Sequence, residues 1–181
     1  MENLIRLRQL MNQKSIDGLA IVPGPNLSYL TDSEFHLSER PVVLFVRQKD
    51  AMFVLPELES PKIAGLDIDY ISYDDREGPG PAFAQFSKSN RFSGLGVESR
   101  LIRHLELDLI SSHDISSVIV DATDIFAELR MSKSNVEIDH MVRAVEIAER
   151  SLVSVLDKMR SGVTEKQFAA ELVIQLLHNG S

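Results

Sequence analysis

The chain has 181 residues, 44% hydrophobic and 25% charged, the balance of a soluble globular protein long enough to bury a core. Its 19 Lys and Arg against 27 Asp and Glu leave a net charge of −8, which argues against nucleic acid as a partner, and the absence of cysteine excludes disulfides, thiolate metal sites and a cysteine nucleophile. No apolar run approaches the roughly 18 residues of a membrane span, and the first residues lack the basic and apolar blocks of a secretory signal, so a cytoplasmic protein without membrane partners is expected.

Leu4, Leu7 and Met11 recur at helical spacing and predict an amphipathic helix over residues 2–15. Leu19-Ala20-Ile21-Val22 is a continuous apolar run closed by Pro23-Gly24-Pro25, which fits a strand buried on both faces. A short helix over Asn26–Thr31 precedes the polar stretch Asp32–Pro41. The β-rich runs Val42–Arg47 and Ala51–Leu55 then flank Gln48-Lys49-Asp50, a break of hairpin length. Ile68–Tyr73, Leu95–Glu98 and Ser117–Asp121 are further strand candidates, and Ala82–Lys88 and Leu101–Ser112 are candidate helices. Gly78-Pro79-Gly80-Pro81, inside the Asp74–Pro81 connection, reads as turn or loop outside regular structure. Strands interleaved with helices predict an α/β fold in layers, and the hairpin makes its sheet mixed.

After about residue 123 only helical periodicity remains. Ser134-Asn135-Val136-Glu137 is a capping box, followed by Ile138, Met141, Val145, Ala148, Leu152, Val155 and Met159 at alternating spacings of three and four, with Ser161-Gly162 as the stop. Thr164-Glu165-Lys166-Gln167 is a second box, opening a helix with Phe168, Ala169, Leu172, Val173, Leu176 and Leu177 on one side and Asn179-Gly180 at its end. Ala148 in the middle of the first seam and the lack of charged flanking positions favour a helix lying on a larger core over a coiled coil. Two such helices cannot bury both faces against each other alone. The expected organisation is one domain over residues 1–125, followed over 126–181 by a linker and the first two helices of an incomplete second domain.

The five histidines form no H-E-x-x-H pattern, and neither a Walker A loop nor a G-x-S-x-G elbow is present. Gly94-Leu95-Gly96 lacks the third glycine of a dinucleotide fingerprint and reads as the start of a strand. Asp67 and Asp69 read as the exposed face of a strand, and Asp114, Asp121 and Asp124 as turn and cap residues. The Asp32–Pro41 connection, about ten residues and long for an α/β domain, gathers Glu34, His36, Glu39 and Arg40. It is either a functional loop or a solvated one in which Glu39 balances Arg40.

Two segments resemble a known family. Asp17–Thr31, with its Asn26-Leu27-Ser28-Tyr29-Leu30-Thr31, is similar to the first strand and helix of the creatinase/prolidase N-terminal domain. Glu128–Ile138 resembles the junction that opens the pita-bread metallopeptidase domain, and Ser161-Gly162-Val163-Thr164-Glu165 resembles the turn between that domain's first two helices. The resemblance implies a mixed-sheet, three-layer domain and, for a full-length protein, Xaa-Pro aminopeptidase or Xaa-Pro dipeptidase chemistry. That chemistry uses two divalent metal ions (Mn, Co or Zn type) held by two Asp, one His and two Glu. Those ligands would all lie downstream of the residues present, so the chain itself is expected to carry no cofactor, no metal site and no catalytic residue. The resemblance further implies a homodimer formed through the N-terminal domain, and a wall that admits short Xaa-Pro peptides to the neighbouring active site. His36 and Arg40 then become candidate substrate-binding residues, the arginine for a peptide carboxylate and the histidine for a carbonyl. A creatinase-like enzyme or a non-catalytic protein-binding relative would share the same resemblance.

Overall fold

The computed structural model describes residues 2–181. Two compact units divide between Met131 and Ser132.

The first unit opens with helix α1 (Glu2–Gln13), which buries Leu4, Leu7 and Met11. Strand β1 (Gly18–Ile21) leads through Pro23-Gly24 to the short helix α2 (Pro25–Thr31). The hairpin is β2 (Val43–Arg47) and β3 (Ala51–Pro56), followed by a 3-10 helix over Glu57–Ile63 that the sequence did not suggest. Strand β4 (Asp69–Tyr73), helix α3 (Gly80–Ser87), β5 (Leu95–Val97), α4 (His104–Ser112), β6 (Ile119–Asp121) and α5 (Thr123–Met131) complete it. Two expectations are corrected. Gly80-Pro81 is the start of helix α3, because a proline in the first turn surrenders only an N–H that has no intrahelical partner. Residues 123–131 form a helix whose Ile125, Phe126 and Leu129 are buried in the first unit, so the packing boundary falls after Met131 rather than after residue 125.

The six strands lie in the order β4-β3-β2-β1-β5-β6. Strands β1, β3, β4, β5 and β6 run the same way and β2 alone is reversed, since it is antiparallel to both β1 and β3 while the remaining pairs are parallel. The central strands are apolar on both faces because each face carries its own core. Leu19, Ile21, Leu44, Val46, Phe53 and Leu55 pack under α1, α2 and α5. The alternate residues Ala20, Val22, Val43, Phe45 and Val54 pack under α3 and α4 with Phe83, Phe86 and Phe92. The interleaved elements predict this layered α/β fold, and its three layers with a mixed sheet are those the family resemblance implies. Gly96 sits mid-strand, where an added Cβ would come within 2.6 Å of a Leu19 methyl, so that glycine serves strand packing and no phosphate cradle.

The second unit is a helical hairpin of α6 (Asn135–Leu156) and α7 (Glu165–His178). Both capping boxes form: Ser134 Oγ accepts from the Glu137 N–H, and Thr164 Oγ1 from the Gln167 N–H. The helices are antiparallel, tied by Asn179 Nδ2 donating to Ser151 Oγ at 3.0 Å and by an ion pair of Lys158 with Glu171. The row of α6 that is buried is Ile147, Ser151 and Val155. Most of the predicted seam lies open, with Met141, Val145, Leu152 and Met159 exposed by about half or more.

Candidate functional site

Five of the six strands end on the same edge of the sheet, and the reversed strand β2 begins there. The connection 32–41, the residues after β4 and the start of α4 therefore converge on that edge, where open α/β sheets place their functional loops. Asp32, in the left-handed region at φ 52°, turns the chain out of α2. The Ser33 hydroxyl donates to the Lys62 carbonyl at 2.9 Å. Phe35 is buried with its ring centroid 5.8 Å from that of Phe53, and the Lys62 ammonium lies 5.3 Å above the Phe35 ring. Burying such a side chain contributes about 2 kcal/mol and anchors the first half of the loop.

The second half is anchored by polar groups. The Arg40 guanidinium makes a two-point contact with Asp75, Nε to Oδ1 at 2.7 Å and Nη2 to Oδ2 at 2.8 Å, while Nη1 donates to Glu39 Oε1 at 2.6 Å. The Arg40 hydrogen bonds hold the Asp75 carboxyl below the usual carboxylate range, and Asp75 in turn raises Arg40. Both groups face water, so the pair contributes geometry more than stability. The Tyr73 hydroxyl donates to the Pro41 carbonyl at 2.7 Å, and burial pushes its pKa well above that of a free phenol, so it remains a donor at neutral pH. Arg103, the N-cap residue of α4, donates through Nη1 to the Ser38 carbonyl and through Nε and Nη2 to the fully buried carboxylate of Glu106.

Between these anchors His36 and Leu37 are exposed, and among the described residues His36 has no hydrogen-bond partner. Of the two candidates singled out from the sequence, His36 is thus open to solvent, while all three guanidinium nitrogens of Arg40 are engaged within the chain. Asp75, Tyr73, Arg103 and Glu106 were missed. Each lies far from the loop in sequence, and no local pattern announces them.

The residues that carry the two resembling segments also meet, since Arg130 Nη1 donates to Asn26 Oδ1 at 3.2 Å. Arg6 Nη2 donates to the Leu129 carbonyl at 3.1 Å and Lys14 pairs with Glu128, so the last turn of α5 is held by three contacts. Asp121 accepts from the hydroxyls of Thr123 and Ser99, which lower its pKa to about 2. Among the described residues no three His, Cys, Asp or Glu side chains come together in a group that could hold a metal ion. Among the described residues no helix is long and apolar enough to cross a membrane.

Comparison with known proteins adds the lineage. The family described as the creatinase/prolidase N-terminal domain matches residues 4–132. The chain belongs to that family. Among curated relatives of this creatinase/prolidase-type chain, a Xaa-Pro dipeptidase of Pyrococcus horikoshii is 22% identical over 99% of the chain and 49% of its own length. An uncharacterized hydrolase/peptidase of Sinorhizobium fredii is 25% identical over 96% of the chain and 48% of its own length. The chain therefore spans about half the length of the curated relatives it matches. Among solved structures, a recombinant prolidase from Thermococcus sibiricus matches 98% of the chain and 49% of its own, with a TM-score of 0.86 at 20% identity. A creatinase-N superfamily domain of a dipeptidase from Streptococcus thermophilus matches 72% of the chain and 99% of its own, with a TM-score of 0.65 at 20% identity. The prolidase likeness extends the shared fold from the first unit through the helical hairpin.

Proposed function

We propose that this chain is the N-terminal, dimer-forming and substrate-gating part of a Xaa-Pro dipeptidase. The observation that carries the reading is collinearity with a Xaa-Pro dipeptidase across 99% of this chain, with about half of that relative's length unmatched. Hydrolysis would belong to residues of the unmatched half, which would hold two divalent ions of the Mn, Co or Zn type. This chain would contribute a wall to the neighbouring subunit's active site and cleave nothing by itself. In that role His36 donates to a substrate carbonyl. Arg40 keeps Asp75 and offers Nη1, now resting on the exposed Glu39, to the carboxylate of a short peptide.

The test is to read the gene beyond the Ser181 codon, express the whole protein with added Mn²⁺ or Co²⁺, and measure hydrolysis of Ala-Pro. The expected result is cleavage by the whole protein and none by residues 1–181, with a raised KM in His36→Ala and Arg40→Ala. A downstream region lacking two Asp, a His and two Glu moves the assignment to a creatinase-like or non-catalytic relative. Wild-type KM in both variants removes the substrate role of the loop.

A further inference from the structure

We propose that Arg103 is a positioning residue for the 32–41 loop, fixing from helix α4 the direction in which His36 is presented. Its meaning for substrate rests on the proposed function, but the positioning itself rests on geometry alone. An N-cap needs only one side-chain oxygen, and Ser, Thr or Asp would supply it without burying a charge. Here Glu106 is fully buried and its two oxygens are filled by one residue, Oε2 by the Arg103 N–H at 2.9 Å and both by the guanidinium. A buried carboxylate matched to a planar fork fixes that fork in orientation. The remaining nitrogen, Nη1, then points at the carbonyl of Ser38, a residue 65 positions away in sequence. Ser38 passes the constraint on, since its hydroxyl accepts the Arg40 N–H at 3.1 Å.

The consequence lies in what remains between the anchors. Phe35 is buried on one side of the tip and Ser38 is held on the other, so only His36 and Leu37 span the gap. A two-residue bridge between fixed ends has few backbone conformations. Lysine could neutralise Glu106, but a single ammonium cannot fill the carboxylate and reach Ser38 at once.

Backbone ¹⁵N relaxation of the 181-residue chain tests this in Arg103→Lys, with Asp75→Asn as the comparison. The expected result is that the order parameters of His36 and Leu37 fall in Arg103→Lys from about 0.85 to below about 0.6, with the resonances of the α4 core in place. In Asp75→Asn they stay closer to wild type. If Arg103→Lys does not fold, Arg103→Gln combined with Glu106→Gln keeps a neutral cap and reads the same loop. Wild-type order parameters in the variant that folds overturn the proposal, whatever the kinetics of a full-length enzyme. A loosened loop with unchanged KM for Ala-Pro in that enzyme keeps the positioning and overturns the substrate role of His36 instead.

Discussion

Replacing Gly18 by alanine tests how closely the first strand and the aromatic layer are fitted. Gly18 is paired on both sides, with Arg47 of β2 and Leu95 of β5, so its backbone has little room to move. An added Cβ would stand 2.1 Å from Phe92 Cδ1 and Cε1, against the roughly 3.5–4.0 Å at which carbon atoms rest. The Phe92 ring would have to withdraw by about 1.5 Å to restore that contact. It cannot do so cheaply. It is 5% exposed, its centroid lies 6.2 Å from Phe45 and 6.5 Å from Phe86, and its N–H is bonded to the Ile115 carbonyl. Overpacking of this kind costs about 1–3 kcal/mol, and the immobility of both partners argues for the upper end. A loss of about 3 kcal/mol lowers Tm by roughly 6–12 °C in a chain of this size. The three tyrosines (29, 70 and 73) all lie in the first unit and the chain has no tryptophan, so tyrosine fluorescence in a urea titration reports that unit alone. Phe92→Ala by itself costs about 3–5 kcal/mol, but combined with Gly18→Ala the new methyl enters vacated space. The double variant should then lose less than the sum by about 1–3 kcal/mol. An unchanged midpoint in Gly18→Ala, or strict additivity in the double variant, would refute the steric account.

Three further outcomes are expected. Asp121 has a pKa of about 2 in the folded chain and an ordinary value of about 4 in the unfolded one, so its contribution is present above pH 4 and disappears as the pH falls toward 2. Asp121→Asn should lower the urea midpoint at neutral pH and flatten that acid limb, and an identical limb would contradict the assignment. Ser134→Ala removes the acceptor for the Glu137 N–H and should cost α6 about 1 kcal/mol, read as lost ellipticity at 222 nm on heating, whereas Asn135→Ala should not. The open apolar row of α6, which includes Met141, Val145 and Leu152, should make light scattering rise with concentration. Met141→Lys with Leu152→Lys should abolish that rise, and a wild-type chain that stays monomeric across the range would count against it.

The strands were legible because two cores require them to be apolar on both faces: Val43–Val46 and Phe53–Leu55 stand out as uninterrupted runs. Boundaries were legible where a side chain satisfies a backbone group nearby, as at Ser134 and Thr164. Helix α5 lies where only helical periodicity remains, but no capping box marks it as a separate element, since its start is capped by Asp121 accepting from the Thr123 N–H. The first turn of α3 is hidden in the sequence because Gly80 and Pro81 break a helix interior but are accepted at a helix start. In the second unit the apolar period predicts the helices, but the buried row includes Ser151, a polar residue that bonds the Ile147 carbonyl and so hides its packing role. Around the loop, Glu39 beside Arg40 was visible as a local charge pair. The contacts with Asp75, Tyr73 and Arg103 depend on β4 and β5 ending where β2 begins, which no local pattern reveals.

A loop held at both ends by groups outside itself has a modular character. Ser33 and Phe35 secure its start and Ser38, Arg40 and Pro41 its finish, through partners on the 3-10 helix, β3, β4 and α4. The exposed tip carries no share of the core, so it can vary without disturbing strand register. Exchanging residues 36–37 between family members is therefore a transplantation that leaves the scaffold's folding code intact. Lineages could diversify what they present at this edge by changing two side chains while the socket that receives them stays the same.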